Sequence, residues 1–428
     1  MGRRLRLVVM VSMGVVVPGL LGLQGPLVAL ASSGDEHHQA GAIYVSPQGS
    51  PAHSADSGRS CATARFTSIN AAVGAARTGG SVVVCKGTYF EDVLINKALT
   101  LMGRHATIDA TGLENGVQVV ASHVGVNGFT LQNANGEGVL VGVDSLADGS
   151  LLPSSGPVLS DVTIEDNNVI NNNKGFSATG PSNCKYPGDC GGGIHFNVTT
   201  HSIMRGNHVT GNVDGVLLTD DYGPNSYNLV EDNVVSYNLH ECGITLPSHS
   251  QTAVSFDPTT FAVTGRNPSL GGVFNNVIRD NVADGNGTDK APPQFGGGGS
   301  GSGIGLFGSG PGSAVYNNLV EDNEASGNGL AGIAIHAHHP GGEDMNGNRL
   351  IGNNIGTNNI LGDGFDGPPT MDFVTTGIAV FSVPAATMTI TDNTIHDNTI
   401  GIWLSNTVTA RGLDENEFRH VIHHVVRG

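Results

Sequence analysis

The 428-residue chain carries 19 Lys and Arg against 37 Asp and Glu, a formal net charge of −18, together with 64 Gly. So acidic a chain offers no cationic surface to release counterions from phosphates, which argues against nucleic acid and equally against an anionic membrane as partner. Only 13% of residues are charged, yet apolar positions recur throughout, so the glycine content points to a repeat fold rather than a low-complexity tail.

Arg3, Arg4 and Arg6 open the chain, and an apolar run over residues 7–30 closes on Ala29-Leu30-Ala31. A basic start, an apolar middle and a small-x-small exit predict a secretory signal peptide over residues 1–31, cut after Ala31. Pro18 and Pro26 argue against its being retained as an anchor. Cleavage removes three Arg and leaves 16 basic against 37 acidic residues, a net charge of −21. Residues 32–41 read as a linker. With an exported chain in view, five Cys allow two disulfides and one thiol over. Proximity favours Cys61 with Cys85 and Cys184 with Cys190, leaving Cys242.

Residues 42–112 read as an N-terminal cap and first coils. Ile69, Ala72, Val73 and Ala76 have helical spacing, with Ser68 as N-cap. From residue 113 to 412 the chain repeats itself. Seven Asn pairs stand five apart: Asn167/Asn172, Asn207/Asn212, Asn233/Asn238, Asn281/Asn286, Asn323/Asn328, Asn353/Asn358 and Asn393/Asn398. Asp or Gly precedes the first Asn of every pair. Each pair is followed by a Gly-apolar-x-apolar segment, as in Gly193-Ile-His-Phe, Gly215-Val-Leu-Leu, Gly243-Ile-Thr-Leu and Gly401-Ile-Trp-Leu.

Period-two alternation means short strands with one buried face, and such units bury that face only by stacking on their neighbours. The expected fold is all-β, a right-handed parallel β-helix with a short N-terminal capping helix, closed by a C-terminal cap over residues 413–428. The Asn residues are expected at corners, stacked as hydrogen-bonding ladders without chemistry. A capped solenoid of this kind is expected to be a monomer.

The segment from Phe66 to Gly103 resembles the N-terminal cap and first coils of pectin-lyase-like β-helix proteins, a resemblance specific to the fold. Polysaccharide is the substrate that it implies. Asn212-Val-Asp-Gly215 and Asp220-Asp221 look like two polygalacturonase boxes, but here both fall on one coil, and the later boxes of that family are missing. An epimerase-like Asp-Pro-His-Asp box is also missing. Leu218-Thr-Asp-Asp, Cys242-Gly-Ile-Thr-Leu and His336-Ala-His-His-Pro-Gly together look most like uncharacterised bacterial parallel β-helix repeat proteins.

Long insertions at 144–160, 174–192, 247–272, 287–302 and 360–376 would stack into walls flanking one sheet, leaving a groove suited to an extended polymer. Outward residues gather polar and ionisable groups at one end of its strands. Asp220, Asp221, His249, His336 and His338 are the candidate acid, base and positioning groups. His195, Asn197, Tyr222, His339 and Trp403 are the candidate sugar contacts, Trp403 by stacking. Three other readings stay open. His336 and His338 could share a divalent metal with Asp221 or His249, and calcium could sit in an acidic turn. The cluster could hold glycan without turnover. It could also be a solvated corner and a turn into Tyr222-Gly-Pro224. Between Asn207 and Asn398 the only Lys and Arg are Arg266, Arg279, Lys290 and Arg349, so the site is expected to lack a basic residue.

Overall fold

The computed structural model describes residues 41–49, 58–143, 156–175, 191–290, 298–362 and 374–428. The expected signal peptide and the Cys184–Cys190 pair lie outside them. Among the described residues no helix is long and apolar enough to cross a membrane.

The single described α-helix, Ile69–Ala75, starts where its cap predicts, with Ser68 Oγ accepting from Ala71 N at 3.2 Å. Glu91 reinforces that end, taking the backbone N–H groups of Ile69 and Asn70 on its two carboxylate oxygens. Ile69, Ala72 and Val73 face the core. Beside the helix, Cys61 and Cys85 form the expected disulfide.

Beyond this cap the chain winds through parallel sheets. Eleven strands, from Val93–Ile95 to His423–Arg427, make one continuous sheet in coil order. A sixteen-stranded sheet and a short five-stranded sheet supply the other faces. In the eleven-stranded sheet Ile194, Val216, Ile244, Ile304, Ile333, Ile378 and Ile402 stand in one inward row, each opposite the next. All are fully buried. Fixed register is what keeps this row inside, because a one-residue slip would turn every apolar side chain outward.

The Asn pairs form two ladders. Asn233 is typical: its N–H and its Nδ2 both donate to Asn281 Oδ1 at 3.0 Å, while Nδ2 also reaches Met204 O on the preceding coil. Buried backbone groups at each corner thereby find partners that a turn alone would leave unmet. A third ladder, Asn228, Asn276, Asn318 and Asn348, runs along another corner. The residue before the first Asn of each pair has positive φ, from 52° at Asp166 to 69° at Gly352, a conformation that favours Asp and Gly there.

The strand-opening glycines have a steric reason. A Cβ on Gly215 would lie 2.3 Å from Gly243 O and 2.8 Å from the ladder amide of Asn238. On the outer face of the large sheet Glu165, Arg205, Glu231, Arg279 and Glu321 alternate in register. Arg279 donates to Glu231 at 2.6 Å there. Residues 413–428, expected as a cap, add another coil whose last strand, His423–Arg427, pairs with Ile400–Leu404.

Candidate functional site

The strands Gly192–Asn197, Asp214–Thr219 and Ile244–Ser248 lie side by side in the eleven-stranded sheet, with His195 opposite Leu217 and Asn197 opposite Thr219. Alternation turns His195, Asn197 and Thr219 to the face away from the apolar interior. That face is covered here: His195 and Thr219 are each 1% exposed and Asn197 is fully buried.

Asp221 follows directly. Its Oδ2 accepts from Asn197 Nδ2 at 2.6 Å and from Thr219 Oγ1 at 3.2 Å, and its Oδ1 meets His249 Nδ1 at 2.5 Å. Burial alone would push the Asp221 carboxyl up. The charge and hydrogen bond of His249, with the His195 charge and the Thr219 hydroxyl, outweigh it and hold the carboxyl below its ordinary value. The His249 side chain is 28% exposed against 9% for Asp221, so His249 is the pair's opening to solvent.

Asp220 points the other way. The alternation that sends Thr219 and Asp221 outward sends Asp220 inward, and it is fully buried. Its carboxylate accepts from Ser248 Oγ and from the backbone N–H groups of His249, Ser250 and Gly272. Burial raises its pKa, partly offset by the His249 charge and these hydrogen bonds. Expected as an acid or base facing substrate, Asp220 instead ties together the turn that presents His249.

Tyr222 also serves the frame, its hydroxyl accepting from Val143 N at 3.1 Å. Asn197 is held by Val143 O as well as by Asp221, and His195 lies between Glu137 and Thr219, so neither expected sugar contact is at the surface.

His336 and His338 form a second group. Phe307 stands opposite His336, and His336 opposite Phe381. Phe307 is itself opposite Pro247, so the Thr219 row position is three coils from His336, about 14 Å at the usual inter-strand spacing. His336 is 4% exposed, and its ring meets those of Phe307 at 5.4 Å and His338 at 5.6 Å. His338 and His339 are exposed, with the His338 ring 4.9 Å from that of Phe381. Trp403 was expected to face outward as a sugar platform. It is 1% exposed, stacked 6.3 Å from Phe381 in a small apolar cluster with Ala379 and Ile400.

Among the described residues no three His, Cys, Asp or Glu side chains converge as a metal site would require. Of the basic residues in this stretch, Arg279 is on the large sheet with Glu231, and Arg266 pairs with Asp344 at 2.6 Å over the Tyr316 ring. Of the five insertions, 247–272 is fully described. It carries an antiparallel hairpin, Val254–Phe256 with Val263–Arg266. Cys242 is a core thiol, buried, with its pKa pushed up by desolvation and the Asp214 charge.

Glu137 was missed from sequence. It is 4% exposed, and its Oε1 lies 3.4 Å from His195 Nδ1. Only its place two residues before the strand Val139–Val141, on the coil preceding His195, could have marked it.

Residues 259–418 match the family described as "Right handed beta helix region". No curated protein sequence matches the chain. Among solved structures the chain is similar to the pectate lyase Pel9A, at 15% identity and a TM-score of 0.50, over 88% of this chain and 78% of that one. It is also similar to the A-module of the mannuronan C-5 epimerase AlgE4 of Azotobacter vinelandii, at 16% identity and a TM-score of 0.45, over 89% and 97% of the two chains. A third is the GH136 lacto-N-biosidase of Eubacterium ramulus, at 10% identity and a TM-score of 0.47, over 89% and 68%. At such identities it is the first of these that bears on the architecture, and on the architecture alone. Stacked parallel strands, Asn ladders and the family match agree: the chain is a right-handed parallel β-helix protein.

Proposed function

We propose that the protein is a secreted carbohydrate-active β-helix protein that cleaves an extracellular polysaccharide, with Asp221 and His249 as the reacting pair. The observation that carries this reading is the 2.5 Å contact between Asp221 Oδ1 and His249 Nδ1 at a partly open edge of a buried polar cluster. A carboxylate on Nδ1 fixes the imidazole ring and its tautomer, which is what a positioned general acid or base requires.

Two reactions suit such a group. In hydrolysis, water adds its oxygen to the anomeric carbon as the glycosidic C–O bond breaks, and one proton passes to the leaving oxygen. In β-elimination, a base takes the proton beside a uronate carboxylate, the C–O bond at the β position breaks and a C=C bond forms. The second also calls for positive charge against the substrate carboxylate. Arg266 and Arg279 are engaged elsewhere, which favours hydrolysis of a neutral glycan.

Glycan binding without turnover is the second reading, and the exposed His338 ring beside Phe381 favours it as a stacking platform. Asp221→Asn separates the two. Lost turnover with retained glycan affinity supports the enzyme, and unchanged turnover removes Asp221 from it. The disulfide and the expected signal peptide support export.

A further inference from the structure

The contact between Asp221 and His249 is the outer end of a longer buried chain of hydrogen bonds. His195 Nε2 lies 2.8 Å from Thr219 Oγ1, and Thr219 Oγ1 lies 3.2 Å from Asp221 Oδ2. At its inner end Glu137 Oε1 faces His195 Nδ1 at 3.4 Å, with side-chain exposures of 6% and 2%. The chain crosses four successive coils, from the one that carries Val139–Val141 to the one that carries Ile244–Ser248.

Its directions follow from counting donors. A carboxylate anion can only accept, so Thr219 gives its one hydroxyl proton to Asp221. Thr219 must then accept from His195, whose Nε2 carries a hydrogen. His195 Nδ1 faces an acidic group in a site closed to solvent, where an uncompensated carboxylate is costly and a paired one is stable. Among the described residues, Asp214 opposite Gly192 and Asp220, which accepts from the His249 backbone N–H, add further acid around these strands, which favours a cation on His195.

We infer that Glu137 and His195 are positioning residues of the site: an imidazolium at His195, held by the Glu137 carboxylate and acting through Thr219, fixes Asp221 as the anion that orients His249. Neither residue touches substrate. The role rests on the reading of Asp221 and His249 as the reacting pair, but the protonation pattern can be measured without any substrate.

The test is ¹⁵N NMR of the imidazole rings in the full chain labelled at histidine, with His195 and His249 assigned from His195→Asn and His249→Gln. At pH 7 both ring nitrogens of His195 are expected to be protonated, and in Glu137→Gln only Nε2. Removing that cation moves the titration midpoint of His249 upward, on the order of half a pH unit at this separation. A His195 singly protonated in the unsubstituted protein overturns the inference. So does a His249 midpoint that stays put or moves down in Glu137→Gln, since a downward move means that Glu137 acts as a bare anion beside a neutral ring.

Thr219→Val keeps Glu137 and His195 and removes only the hydroxyl link, so it carries the test should Glu137→Gln fail to fold. In that variant the His195 cation stays in place, so both ring nitrogens of His195 remain protonated at pH 7; a singly protonated His195 there also overturns the inference. Silence of the protein on polysaccharides would leave these spectra unchanged, so failure of the catalytic reading and failure of the relay are told apart.

Discussion

Asp221 Oδ1 and His249 Nδ1 meet at 2.5 Å although 28 residues separate them in sequence, because their coils are neighbours in the stack. The carboxylate is held below its ordinary value of 3.8, so it stays ionised in mildly acid solution. A depressed carboxyl pKa contributes stability that is present above the unfolded value and lost as pH falls through the folded one. Asp221→Asn should therefore flatten the acid arm of a plot of Tm against pH below about pH 4, the region set by that ordinary carboxyl value. The same change should cut turnover by about 10²–10⁴, the usual contribution of a positioned acid or base.

Glu343 predicts the opposite sign. It is 3% exposed, and burial pushes its carboxyl up to about 7 despite a hydrogen bond from the His339 backbone N–H. A raised carboxyl pKa contributes stability that is full below the unfolded value of 4.5 and declines as pH rises toward 7. Glu343→Gln should match the unsubstituted protein near pH 4.5 and exceed its Tm at pH 7. Equal losses of Tm in both proteins across that window would refute it.

The ladders predict large effects from small changes. Asn281→Ala removes the acceptor used by both Asn233 N and Asn233 Nδ2, and leaves the carbonyls of Val230 and Arg279 without its amide. Buried donors and acceptors left unmet cost about 1–3 kcal/mol each, so a loss of roughly 3 kcal/mol or more is expected in urea unfolding.

Two glycines should respond in opposite directions to the same substitution. Gly215→Ala drives a methyl group to 2.2 Å from Val235 Cγ1 and should destabilise by about 1–3 kcal/mol. Gly74→Ala, in the capping helix with nothing within 4 Å of the added carbon, should stabilise by roughly 0.5–1 kcal/mol. Thermal melts of the two variants against the unsubstituted protein decide both.

What the sequence disclosed was periodic. The seven Asn pairs, the glycine-led strands and the helix from Ile69 all follow from spacing, and spacing is local. The third ladder was equally open to reading, since Asn228, Asn276, Asn318 and Asn348 each stand five residues before a paired Asn. Parity alone could have turned Asp220 inward. The relay was closed to that kind of reading: Glu137 and His195 are 58 residues apart, and only coil lengths, which the insertions make unequal, bring them into register. Trp403 alternates outward as expected, but the row of rings on that face buries it.

The most direct test sets the unsubstituted protein beside His249→Gln on a panel of neutral and acidic polysaccharides, with and without chelator. New reducing ends and absorbance from unsaturated uronates would be followed together. The account predicts new reducing ends from a neutral glycan, without unsaturation, and their loss in His249→Gln with the fold intact by circular dichroism. No product from any polysaccharide, or equal product from the variant, would contradict it.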